Sequence, residues 1–106
     1  GLLCYSIGPQ GLEVVTIHAL SPGHGAGSAL IEAAAELGRR EGCSRMWLVT
    51  TNDNLGALGF YLRHGMRLVT VHHDAVASAR VLKPAIPATG DDGVAVTDEI
   101  ELERWL

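Results

Sequence analysis

The densest cluster of residues able to do chemistry is Gly23-His24-Gly25-Ala26-Gly27, three glycines within five positions, set just before a helical pattern that begins at Ser28. The first N–H groups of a helix lack partners and lie at the positive end of its dipole. Glycine at that point lets the main chain come close to an anion and take conformations closed to a side chain. Such a loop can wrap a pyrophosphate without charged residues. From the glycines by themselves two readings stay open, a phosphate site or a plain strand-to-helix connection. Two other nucleotide loops do not fit. The dinucleotide pattern GxGxxG needs glycine where Ser28 stands, and an acidic residue closing the next strand, where Thr50 and Thr51 stand. A P-loop needs Gly-Lys followed by Ser or Thr, and this loop has no lysine.

Other candidates are more scattered. Thr51-Asn52-Asp53-Asn54 offers several N-cap side chains to a following helix, and Tyr61 lies on that helix, where a tyrosine packed on a sheet is the plain alternative to a chemical role. Glu13 lies on the strand leading to the glycine loop. By period-two alternation it shares a face with Ile17, while His18 takes the other face. A surface glutamate is the plain alternative there. His72 and His73 are adjacent, so as strand neighbours they point to opposite faces, and no third ligand is spaced to join them; no metal site is expected. Glu99, Glu101 and Glu103 form an acidic stripe, read as a solvated strand face ahead of a docking site for a cationic amine. Cys4 and Cys43 lack any CxxC spacing and suit two reduced thiols.

The elements that must hold these residues follow from periodicity. Leu2 to Ile7 and Leu12 to Leu20 read as a hairpin turned at Gly8-Pro9-Gln10-Gly11. After the break at 21–27, a helix from Ser28 to about Arg40 carries a Leu30, Ala34, Leu37 stripe with Ile31 beside it, and Gly42 stops it. Arg45 to Thr51 is a strand apolar enough to be covered on both faces, so the strand-helix-strand order predicts a parallel crossover. Leu55, Leu58 and Leu62 mark one face of a second helix ending at Gly65, and Met66 to His72 is the next strand. Asp74 to Val81 fits one or two helical turns, Pro84 to Gly93 a loop, and the final segment alternates Ile100 and Leu102 against the glutamates. The expected fold is α+β, a mixed sheet in the order β-β-α-β-α-β-loop-β, forming a single domain over residues 1–106.

Composition narrows the partners. A chain of 106 residues with 47% hydrophobic content suits one compact core. A net charge of −4 with only eight Lys and Arg makes nucleic acid a poor partner. The apolar runs fall far short of the ~20 residues a bilayer span needs, and no basic-then-apolar leader opens the chain, so a soluble, cytoplasmic protein is expected.

Taken together, Gly23 to Leu30, Thr51 to Asn54 and Ala57-Leu58-Gly59-Phe60-Tyr61 resemble the GNAT superfamily of acetyl-CoA-dependent N-acetyltransferases. That family's pyrophosphate loop reads Arg/Gln-x-x-Gly-x-Gly/Ala, and its later motif reads Asn-x-x-Ala, matched by Asn54 and Ala57, with Phe-Tyr one turn on. The resemblance runs from about Leu12 to Val71. It implies acetyl-CoA as cofactor and an amine as acceptor, with the pantetheine arm lying between two splayed parallel strands and pairing with main-chain groups of Ile17, His18 and Ala19. It further implies that the amides of Gly23, His24, Gly25, Ala26, Gly27 and Ser28 hold the pyrophosphate. Pro22 stands where the family has Arg or Gln, so that grip is mostly neutral.

Direct transfer needs a base, an oxyanion donor and an acid for the departing thiolate. The resemblance assigns the acid to Tyr61, a hydrogen bond to the cofactor or an ordered water to Asn54, and the oxyanion donor to a strand amide near Ile17 or His18. Glu13, where several members place a carboxylate, is the candidate base. The family also has a strand, two helices and a further strand ahead of the equivalent of Leu2, so the fold is expected to begin truncated, with Leu2 to Ile7 as an open edge that a homodimer would cover. A catalytically impaired CoA-binding or acyl-CoA-sensing module, completed by a partner chain, is the alternative function.

Overall fold

The computed structural model describes residues 1–18 and 25–106, His18 by its main chain. Among the described residues five strands and three helices run in the order β1 (Leu2–Gly8), β2 (Gly11–His18), α1 (Ala26–Arg40), β3 (Arg45–Thr51), α2 (Leu55–Arg63), β4 (Arg67–His72), α3 (Ala75–Leu82) and β5 (Glu99–Trp105), with a 3₁₀ turn at Asp91–Gly93. The strands form one sheet in the order β1-β2-β3-β5-β4. With β1 antiparallel and β3 parallel to β2, the sheet is mixed, as the sequence order predicts. The chain divides into two compact units, one of Gly1–Leu48 with Glu103–Leu106 and one of Val49–Leu102.

In the first unit Gly11 turns the hairpin at φ 110, and a Cβ there would run into the Arg45 carbonyl oxygen, so only glycine fits. Leu12, Val14, Met46 and Leu48 are buried together with Ile31, Ala34 and Ala35 of α1. The buried stripe of α1 is Ile31, Ala34, Ala35 and Gly38, whereas Leu30 and Leu37 are only half-buried. The expected Leu30-Ala34-Leu37 stripe is therefore rotated. The cause is close approach: a Cβ on Gly38 would sit 2.6 Å from Leu106 Cδ1 and 3.7 Å from Leu12 Cβ, so small residues face the sheet. The helix ends as Gly42 implies. Cys43 N–H donates to the Gly38 carbonyl and Gly42 N–H to that of Arg39, the paired bonds of a Schellman cap, with Gly42 at φ 78.

In the second unit Met66, Val76, Val96 and Leu102 are buried. Helix α2 closes at Gly65 (φ 81), where Met66 N–H donates to the Tyr61 carbonyl across the left-handed glycine. Its expected Leu55-Leu58-Leu62 face is not the covered one. Leu55 and Leu62 are exposed, and Ala57, Leu58, Phe60 and Tyr61 are half-buried, because the Phe60 ring takes cover against Tyr61 (centroids 5.4 Å) and His64 (4.3 Å). Helix α3 completes two turns from Ala75 to Leu82.

Candidate functional site

The first unit carries the phosphate candidate. Gly25 caps α1 in the left-handed region (φ 77, ψ 1), and its carbonyl accepts the Ala29 N–H at 3.0 Å. No acidic residue occupies the first turn, and among the described residues nothing lies within 4 Å of where a Gly25 Cβ would be. The amides of Ala26 and Gly27 open the helix at its positive end, which suits an anion. Ala19, Gly23 and His24 of the expected loop lie outside the described residues.

Strand β2 departs from simple alternation. Against β1, Cys4 faces Thr16 while the next residue, Tyr5, faces Val14, so Val15 is an extra residue, a β-bulge. Consecutive Cys4 and Tyr5 point to opposite faces, hence Thr16 and Val14 do too. Glu13, opposite Ser6, then shares a face with Thr16, and Ile17, opposite Leu3, shares the other with Leu12 and Val14. The expectation that Glu13 and Ile17 share a face is thus overturned by the bulge. The part foreseen for Ile17 uses its main chain and is unaffected; His18 is placed by its pairing with Leu2.

Parallel pairing to β3 consists of Leu12↔Met46 and Glu13↔Trp47, and among the described residues the ladder does not extend to Val14 and Leu48. Glu13 and Trp47 are its last pair. They lie on the face opposite the buried Leu12 and Met46, and with Ser6 and the Gly8–Gly11 turn they line a cavity of about 120 Å³. Arg45 stands on the same face, its guanidinium 5.5 Å from the Trp47 ring centroid and its Nε 2.6 Å from Glu103 Oε1. Glu103 is buried, so the acidic stripe is not a uniformly solvated face: Glu103 pairs with Arg45, and Glu101 lies 3.8 Å from His72 Nε2. His73 turns instead to Asp98, at 3.4 Å. Among the described residues no group of His, Cys, Asp and Glu gathers as a metal site, and no helix is long and apolar enough to cross a membrane.

The second unit carries Asn54, Ala57 and Tyr61. Asn54 stands at the N-cap of α2 but makes no side-chain cap bond; its Nδ2 donates to Thr50 Oγ1 at 3.4 Å. Its amide oxygen is thereby left for another donor. Tyr61 is half-buried, and burial holds its phenol above the ordinary tyrosine value, so the group is a proton donor throughout the neutral range. Sequence reasoning missed Asn52. Its Oδ1 accepts the N–H groups of Thr97 and Asp98, both at 3.0 Å, and its Nδ2 donates to the Ala95 carbonyl at 2.9 Å, so this one side chain satisfies three main-chain groups of the segment entering β5. Trp47 was also unassigned, and nothing in its sequence context separates it from an ordinary strand tryptophan.

A family model for the acetyltransferase (GNAT) family matches residues 1–66. The uncharacterized protein YdhI of Bacillus subtilis (strain 168) is 35% identical over 106 residues, covering 100% of this chain and 66% of its own length. Among solved structures, a Bacillus subtilis acetyltransferase in complex with CoA superposes with a TM-score of 0.78 at 24% identity, covering 98% of this chain and 66% of that one. A GNAT family acetyltransferase from Elizabethkingia anophelis with acetyl-CoA bound gives 0.81 at 18% identity, covering 98% and 68%. Likeness at this level of identity is likeness of fold. The chain spans about two thirds of the length of these relatives.

Proposed function

The chain belongs to the acetyltransferase (GNAT) family, and from that premise we propose that it transfers acetyl from acetyl-CoA directly to a primary amine of a small molecule or protein, in the cytoplasm, with residues 1–106 acting as one domain. The observation that carries the proposal is the start of α1: a left-handed Gly25 which, among the described residues, has nothing at its Cβ position, with a strand before it whose parallel ladder, among the same residues, counts two pairs. That arrangement fits a pyrophosphate at the helix start and an extended amide chain alongside β2.

The amides of Gly23 to Ser28 hold the pyrophosphate, and main-chain groups of Ile17, His18 and Ala19 pair with the pantetheine amides as an added strand would. Asn54 and Ala57 border the same arm. Bound acetyl-CoA supplies a thioester carbonyl and a thiolate leaving group. Glu13 removes the proton that the acceptor nitrogen loses as it attacks. A strand N–H near Ile17 or His18 donates to the carbonyl oxygen as it gains negative charge. Tyr61 holds a proton for the departing sulfur, and its raised pKa keeps that proton in place until transfer. Two copies meet along β1, whose Leu2, Tyr5 and Ile7 are exposed at the sheet edge.

The test is thiol release from acetyl-CoA by the purified chain against a panel of primary amines. Release that depends on both protein and amine is expected. Absence of release with every amine, together with no binding of CoA by calorimetry, would contradict the proposal.

A further inference from the structure

The turn between β3 and α2 holds two asparagines that use their side chains differently. Asn52 gives its whole amide to main-chain groups: Oδ1 accepts the N–H of Thr97 and of Asp98, both at 3.0 Å, and Nδ2 donates to the Ala95 carbonyl at 2.9 Å. Its own N–H donates to the Asp98 carbonyl at 3.1 Å, so this one residue is joined to the 95–98 segment by side chain and main chain alike. That segment is itself fixed. Val76 N–H donates to the Thr97 carbonyl at 3.0 Å, Asp74 N–H to the Asp98 carboxylate at 2.8 Å, and the Arg80 guanidinium to the Val96 carbonyl. The turn ahead of α2 is therefore tied to a segment that the start of α3 already holds.

Asn54, two residues on, does not cap its helix. An asparagine at an N-cap ordinarily accepts the N–H of the second or third helical residue. Asn54 stands at φ −82, ψ 68, short of the extended backbone from which a cap side chain folds onto its helix, and makes no side-chain cap bond. Helix α2 has little else to start it. None of its residues is buried, its first turn carries no acidic residue, and Gly56 and Gly59 both weaken a helix relative to alanine. The helix takes its start from the turn, and the turn takes its place from Asn52.

We infer that Asn52 is a positioning residue for the cofactor: by fixing the β3–α2 turn it keeps the Asn54 amide off the N–H groups of α2 and leaves it for acetyl-CoA. The inference rests on the acetyl-transfer reading and adds to it the residue that sets Asn54. The Asn54 side-chain oxygen can accept from a cofactor N–H or from a bridging water. If the turn loosens, Asn54 relaxes to the extended backbone of an ordinary cap, and the same oxygen goes to the amide of Gly56 or Ala57. Capping and cofactor binding thus compete for one oxygen, and Asn52 decides between them. The side-chain bonds of Asn52 are exposed or half-buried, so water replaces them when the amide is removed and the chain stays folded.

The experiment is a double-mutant cycle in CoA affinity, measured by calorimetry for the parent, Asn52→Ala, Asn54→Ala and the double variant. Each single variant should bind CoA about two- to tenfold more weakly, in keeping with one neutral hydrogen bond, and the double variant should be no weaker than Asn54→Ala. A residue that merely supported the fold would lose affinity by the same factor in both backgrounds. Amide exchange gives a second reading without ligand. In Asn52→Ala the amides of Gly56 and Ala57 should exchange more slowly than in the double variant, because the freed oxygen caps the helix, whereas Asn54→Ala by itself should leave the parent rates unchanged. Should Asn52→Ala not fold, Asn52→Ser, which leaves room for water at the same bonds, takes its place in the cycle. Full affinity in either single variant, or equal losses from Asn52→Ala in the two backgrounds, overturns the inference. If that happens while the parent binds CoA and releases thiol with an amine, the transfer reading stands without it. If the parent binds no CoA, the transfer reading fails, and exchange at Gly56 and Ala57 still decides whether Asn52 keeps Asn54 off its helix.

Discussion

Replacing Glu103 by Gln tests whether the face bearing the cavity is held by a buried ion pair. Arg45 Nε and Glu103 Oε1 are 2.6 Å apart, and the two side chains are only 14% and 7% exposed. Were the pair exposed, its loss would cost about 0–1 kcal/mol. At this burial, removing one charge leaves the other in a poor solvent, and about 3–5 kcal/mol is expected. The Gln10 carbonyl, 3.3 Å from Arg45 Nη1, is a neutral acceptor and does not replace the carboxylate. Against a typical total of ~5–15 kcal/mol, that is a large share of the stability. With a urea m-value of ~1–3 kcal/mol/M the unfolding midpoint should fall by roughly 1–5 M. Arg45→Met combined with Glu103→Leu removes both charges and should recover most of the loss. Urea unfolding followed by tryptophan fluorescence reads the parent and both variants. A Glu103→Gln unfolding free energy within about 1 kcal/mol of the parent, or a double variant no better than the single one, would refute the reasoning.

Three further outcomes are expected. Gly25→Asp should weaken CoA at least about tenfold by calorimetry, whereas Gly25→Asn, which tolerates the left-handed conformation and adds no charge, should stay within a few-fold; equal affinities for the two would make the loop a plain connector. Gly56→Ala should raise stability by about 0.4–1 kcal/mol in urea unfolding, since the site lies in α2 with open space at its Cβ position; destabilisation would mean that the helix is covered there. Asp98 accepts the Asp74 N–H at 2.8 Å, which, with the Thr97 and His73 bonds, outweighs desolvation and lowers its pKa. Its contribution is then present above the ordinary carboxylate value of about 3.9 and is lost as pH falls through the lower folded value. Acidification from about pH 5 to about pH 3 should therefore lower the unfolding midpoint more in the parent than in Asp98→Asn, and equal losses would remove Asp98 from the acid transition.

What was legible in the sequence was written in local chemistry. Gly42 and Gly65 end α1 and α2 because each stop needs a left-handed residue, and the Gly8-Pro9-Gln10-Gly11 turn announces itself by composition. What was not legible depends on distant partners. The Val15 bulge lies in an uninterrupted β-branched run and exists only as a register against β1, yet it decides which face Glu13 occupies. The rotation of the α1 stripe follows from how closely Gly38 approaches Leu12 and Leu106. Arg45 and Glu103 are 58 residues apart, and the alternation of β5 placed Glu103 with the solvated glutamates. Asn52 sits in a polar run where any of four side chains could have served as cap, and its real partners begin more than forty residues later. For the candidate site, the motif residues of α2 and the start of α1 were legible as types, while the cavity beside Glu13 and Trp47 was not.

The central claim, acetyl transfer with Tyr61 as the acid, is tested most directly by mass-spectrometric detection of acetylated amine from acetyl-CoA, run side by side for the parent and Tyr61→Phe with a CoA titration of each. The variant keeps the ring and its edge contact with Phe60 while deleting the phenolic proton. The parent should form product, and the variant should retain CoA affinity within a few-fold while its kcat falls by ~10²–10⁴. No product from the parent with any amine of the panel would contradict the transfer itself, and a variant that matches the parent would remove Tyr61 from the chemistry.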